Sequence, residues 1–131
     1  MIVVDVNVIA YLLIPGKFTA SAEQLLQSDP AWAVPRLWRS ELRNILATYI
    51  RSKDLDLPDA LDLYQRAADL IGEEEYEVDT SAILRLSKAS NCSAYDCEYV
   101  ALADLLELEF VTADRKLAKA FPMRARLLSD A

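Results

Sequence analysis

The chain has 131 residues, 53% apolar and 27% charged, which excludes intrinsic disorder and calls for no disulfide or metal to hold a core together. Fourteen basic against 21 acidic residues give a formal charge of −7, so no basic surface wraps nucleic acid non-specifically. The absence of histidine excludes histidine bases, Ser-His-Asp triads and histidine-ligated zinc. Cys92 and Cys97 are too few for a thiolate cage and read as small core residues of a cytosolic protein. The length predicts a single domain over residues 1–131.

Met1–Val4 is a β-branched run that reads as a buried strand. The apolar stretch after it carries Asp5 and Asn7 and ends at Pro15-Gly16, unlike a signal peptide. No run approaches the roughly 18 apolar residues of a membrane span, so no membrane partner is expected. A helix is predicted over Thr19–Ser28, with Ala22, Leu25 and Leu26 on one face, then a strand over Ala31–Val34. Pro35 opens a long helix reaching about Lys53, whose stripe is Trp38, Leu42, Ile45, Leu46 and Tyr49. Pro58 opens another, ended by Gly72, with a short strand expected at Tyr76–Val78. Asp79 or Thr80 caps a helix to about Ala89, and Ser93 caps one to about Glu107. A strand at Leu108–Val111, a helix at Ala113–Phe121 and a strand at Met123–Leu127 complete the chain. Strands alternating with helices imply an α/β fold, with a parallel sheet covered on both faces. Ligands in such sheets bind beyond the carboxyl ends of the strands.

Four acids fall near that edge. Asp5 directly follows the first strand, where a helix cap is the plainer reading. Glu41 sits on the long helix beside the apolar stripe, where an ordinary pairing with Arg39 or Arg43 would explain it. Asp96 stands three residues after Ser93, as in a capping box. Asp114 opens a helix, where a cap or dipole partner is expected. If all four converge, the repulsion is large, because two like charges 4 Å apart repel by roughly 4 kcal/mol at an effective dielectric of 20. A hard divalent cation, Mg²⁺ or Mn²⁺, is what oxygen-only ligands would select to relieve it. A phosphatase of the haloacid dehalogenase type would want a second aspartate two residues after Asp5, and that position is Asn7.

Three stretches, VVDVNVIAYL, LWRSELRNILATYIR and SAYDCEYVALADLLELEFVTADRKLAKAF, resemble the PIN-domain family, and within it the VapC-like ribonuclease toxins of type II toxin–antitoxin pairs. The resemblance implies a three-layer α/β/α sandwich with a central, mostly parallel sheet of about five strands. It implies that Asp5, Glu41, Asp96 and Asp114 form an acidic, metal-binding catalytic quartet holding Mg²⁺ or Mn²⁺, with Asn7, Asn44 and Thr112 as accessory polar positions. It further implies cytoplasmic endonucleolytic cleavage of single-stranded RNA, a homodimer, and inhibition by a VapB-like antitoxin. A PIN nuclease of RNA processing, or a non-catalytic PIN-fold interaction module, are the alternatives. Against −7 overall, RNA contacts would have to come from local groups such as Arg39, Arg43, Arg115, Lys116 and Lys119. The turn Leu106–Glu109 lacks the glycine often found there in the family. For a dimer contact, Leu63 and Tyr64, expected to be exposed, and the Thr19–Ser28 helix are candidates.

Overall fold

The computed structural model describes residues 1–129. Among them, β1 (Ile2–Val4), β2 (Trp32–Pro35), β3 (Glu75–Tyr76), β4 (Phe110–Thr112) and β5 (Ala125–Leu127) form one sheet, parallel throughout, in the order β3-β2-β1-β4-β5. The connections carry α1 (Val6–Leu13) and α2 (Thr19–Ser28), then α3 (Trp38–Arg51) and α4 (Leu57–Ile71), then α5 (Thr80–Ser90) and α6 (Ala94–Leu106), and finally α7 (Arg115–Ala120).

From β1 the chain steps outward through β2 to β3, then returns across the sheet to β4 and β5. Right-handed crossovers therefore put α1–α4 on one face and α5–α7 on the other, giving three α/β/α layers. Contacts agree: α1, α3 and α4 pack on one another, while α6 packs on α5 and on β1, β2 and β4. Strands covered on both faces have no solvent side, which is why Ile2–Val4, Trp32–Val34 and Phe110–Val111 are continuous apolar runs, each residue 2% exposed or less.

Element boundaries shift where tertiary contacts outweigh local signals. Met1 is 47% exposed and outside β1. Pro35 does not open the long helix; it ends β2, paired with Tyr76 of β3, and the Arg36 N–H donates to the Tyr76 carbonyl. The helix begins at Trp38 without a side-chain cap. Trp38 anchors it instead, stacking on Tyr64 at 5.5 Å and donating its indole N–H to Glu75 at 2.5 Å. That pairing places β3 at Glu75–Tyr76, one residue earlier than expected and without Val78. Strand β4 starts at Phe110 because α6 ends in a left-handed turn at Glu107 (φ 55°), closed by the Leu108 N–H on the Ala103 carbonyl. Met123, 96% exposed, lies outside β5. Leu63 and Tyr64 do not form an exposed patch: Leu63 is in the core and Tyr64 lies against Trp38. Both cysteines are free thiols, Cys97 buried and Cys92 half-buried. No helix among the described residues is long and apolar enough to cross a membrane.

Candidate active site

The strand order reverses between β1 and β4, the position at which doubly wound sheets leave a crevice beyond their carboxyl ends. Asp5 leaves β1 there and Asp114 follows β4. Asp5 is the N-cap of α1, its Oδ1 accepting from the Asn7 N–H at 3.2 Å. Its other oxygen, Oδ2, accepts from the Thr112 hydroxyl at 2.9 Å. Thr112 is fully buried, and its Oγ1 also accepts from the Asp114 N–H at 3.1 Å. Asp114 in turn caps α7, accepting from the Leu117 N–H at 3.1 Å. Both plainer readings thus hold, and they do not compete with a shared site: the capping bonds fix the two carboxyls at one mouth.

The other two acids reach that mouth from opposite layers. Glu41, on α3, accepts from the Tyr99 hydroxyl of α6 at 2.7 Å. Tyr99 is 2% exposed and stacks on Phe110 at 5.7 Å, so this bond joins the two helical layers at the sheet edge. Asp96 lies one turn before Tyr99 on α6, in the helix that Ser93 caps through the Asp96 N–H at 3.1 Å.

The acids feel one another. Burial pushes the Asp5 carboxyl up, and the charges of Asp96 and Asp114 push the same way, against the bonds from Asn7 and Thr112. Burial raises Glu41 to about 7; Asp5, Asp96 and Glu98 add to that, while the Tyr99 hydrogen bond opposes it. Asp96 is raised by burial and by Asp114, with Ser93 and Lys116 partly compensating. Among the described residues no three acids are drawn together into a ready-made cation cage. What the electrostatics give is pairwise repulsion, Asp5 with Asp96 and Asp114, Glu41 with Asp5 and Asp96, which a hard divalent cation would relieve. Magnesium suits it, being held by one or two carboxylates while keeping several of its own waters. The residues present therefore fit such an ion by donor chemistry.

The remaining positions divide. Asn7 is exposed beside Asp5, with its backbone in the Asp5 cap. Asn44 is exposed on α3, and its carbonyl accepts from the Thr48 hydroxyl at 3.0 Å. Arg39 is held by Glu75 at 2.6 Å and by the Tyr64 hydroxyl at 3.1 Å, over the Trp38 ring. Arg43 lies over the Tyr64 ring. Lys116 is near enough to Asp96 to favour its charged form, and with Arg115 and Lys119 it lines a cavity of about 510 Å³ beside α7. Tyr99 is the site residue that motif reading passed over. Its signal was a phenol on the buried face one turn after Asp96, because a buried Tyr hydroxyl must find a partner.

A family model described as PIN domain matches residues 2–121. Among curated proteins, none matches the sequence. Similar solved structures include PAE2754 from Pyrobaculum aerophilum, 20% identical with a TM-score of 0.76, covering 96% of this chain and 89% of that one. FitAcB from Neisseria gonorrhoeae is 19% identical with a TM-score of 0.75, covering 95% and 96%. A toxin-antitoxin complex from Klebsiella pneumoniae is 18% identical with a TM-score of 0.64, covering 92% and 90%. At these identities the likeness is one of fold.

Proposed function

The chain belongs to the PIN domain family, and on that premise we propose that it is a Mg²⁺- or Mn²⁺-dependent endoribonuclease cutting single-stranded RNA. The observation that supports this reading is geometric: Thr112 links Asp5 to the start of the Asp114 helix, and Tyr99 links Glu41 to the Asp96 helix, with each raised carboxyl feeling the charge of at least one other acid. Acids gathered against their own repulsion are an arrangement that a fold keeps for a purpose.

Asp5, Asp96 and Asp114 would hold the ion, directly or through water, with Glu41 as a further ligand or as the group that orients the attacking water. Bound there, the ion supplies an activated water and neutralises charge on the phosphate oxygens. The chain's own contribution is positioning and proton handling. Thr112 and the Asn7 N–H keep the Asp5 carboxyl from rotating away. The Tyr99 hydroxyl occupies Glu41 Oε1 and leaves Oε2 for a water proton. A carboxyl near 7 exchanges that proton at neutral pH, as a general base must. Lys116, near Asp96, would meet the RNA backbone, with Arg115 and Lys119 in the cavity it lines. Arg39 is engaged with Glu75 and Tyr64 and contributes less.

The toxin-antitoxin complex among the fold relatives supports an antitoxin partner, and we read the chain as the toxin of a VapBC-like pair, a single-domain homodimer of the cytoplasm held by a VapB-like antitoxin. The decisive measurement is cleavage of single-stranded RNA by purified protein with Mg²⁺, with EDTA, and with Asp5→Asn. Asparagine caps a helix about as well as aspartate, so this variant keeps the fold of α1. Cleavage should vanish in the last two conditions; activity in either defeats the mechanism.

A further inference from the structure

Three surface cavities differ sharply in charge. The largest, about 680 Å³, is lined by Glu23, Asp54, Asp59 and Asp62 with one cation, Arg66, and would repel a polyanion. The one beside α7 carries Arg115, Lys116 and Lys119. A third, of about 370 Å³, lies between α1, the turn before α2, and α3. It has no carboxylate in its lining, although the chain as a whole has 21. Its only charged residue is Lys17, and three aromatic rings line it, Tyr11, Phe18 and Tyr49.

Tyr11 and Phe18 pack on each other at 4.9 Å with a 46° tilt, so a base would stack on the outward side of this pair or on Tyr49 rather than between the rings. The exposed Lys17 ammonium lies over the Phe18 ring, 5.4 Å from its centroid, and would have to swing off that face as a base arrives. The cavity also adjoins the acids: Asn7, two residues from Asp5, lines it, and Tyr11 feels the Asp5 charge.

We propose that this aromatic cavity is a nucleobase subsite, which takes a base of single-stranded nucleic acid next to the phosphate held at the acids, with Lys17 on the neighbouring phosphate. The inference rests on the nuclease reading and adds to it the place where the strand is gripped. Base stacking on aromatic side chains tolerates any base, because every base has a π-face, and it adds to whatever the cations of the groove supply. A net charge of −7 makes that the economical way for this chain to hold RNA. The strand would then run from the lysines of α7, across the carboxylates, into the cavity.

The test uses the full chain in EDTA, so that nothing is cut, with a short fluorescent single-stranded oligoribonucleotide and its abasic counterpart. Phe18→Leu and Tyr49→Leu keep apolar bulk and remove a ring face, and thermal unfolding checks that each still folds. Each should weaken the oligoribonucleotide about tenfold, within the range that one stacked base supplies, and leave abasic binding unchanged. Lys17→Gln should weaken both strands a few-fold. Unchanged affinity in the ring variants overturns the proposal, as does an equal loss for the abasic strand. A change of oligomeric state in Tyr49→Leu without loss of RNA affinity would mark the cavity as a protein interface, and also overturns it. Cleavage with Mg²⁺ or Mn²⁺ is scored separately. A wild-type protein that cuts nothing defeats the nuclease reading, while the anisotropy arm still decides the subsite.

Discussion

Thr112 spends both sides of one hydroxyl on the site, donating to Asp5 and accepting from the Asp114 N–H. It is fully buried, so its loss leaves both partners short of a bond. Thr112→Val should cost about 1–3 kcal/mol in urea unfolding, whereas Thr112→Ser should keep most of the stability. Tyr99→Phe removes the one bond that holds Glu41 down, so the Glu41 carboxyl should rise further. The expected readout is an acid limb of the cleavage profile displaced to higher pH, with about 1 kcal/mol lost in stability. Asp96→Asn relieves repulsion from Asp114, so the metal-free protein should be as stable as wild type or more so. A loss of several kcal/mol would make Asp96 a structural residue. The sequence shows the acids because each sits at a strand end or beside a helical stripe. It does not show Tyr99 as part of the site, because a tyrosine on a buried face looks like ordinary core until the opposite layer places Glu41 within reach.

At the level of elements, the apolar runs and helix caps were readable because each signal is local. Asp79, Ser93 and Gly72 end or begin helices where side-chain chemistry alone puts them. Local signals mislead where a distant partner decides. Pro35 reads as a helix start, yet it is the last residue of β2, because β3 pairs with it and Trp38 is pinned to Glu75. The turn after α6 illustrates the opposite case. The sequence has no glycine there, and the structure shows why one would fit: Glu107 holds a left-handed conformation, φ 55° and ψ 47°. That conformation costs an L-residue about 1–2 kcal/mol, partly offset by the entropy a glycine loses on folding. Glu107→Gly should therefore raise stability by about 0.5–1 kcal/mol, seen as a higher urea midpoint with an unchanged slope.

For the molecule as a whole, charge sets the behaviour with pH. In EDTA, Glu41 binds its proton more tightly folded than unfolded, so the unfolded chain releases it first. Stability from this group is complete below pH 4.5 and declines as pH rises through about 7. Asp5 and Asp96, also raised, act in the same direction. Melting temperatures of the chelated protein should fall over that interval, and Mg²⁺ should flatten the fall. The overall fold was readable at this scale because alternation of strands and helices constrains topology strongly. The strand order was less so, since β4 joins β1 only through contacts made a hundred residues away.

That separation has a consequence for synthesis. Asp5 and Thr112 are 107 residues apart, and β1, which Asp5 follows, is the central strand of the sheet and the first one made. A ribosome-bound fragment ending before residue 110 holds Asp5 at an unpaired strand edge, with neither Thr112 nor Asp114 to complete the mouth. The acidic mouth is therefore among the last features of the fold that synthesis completes.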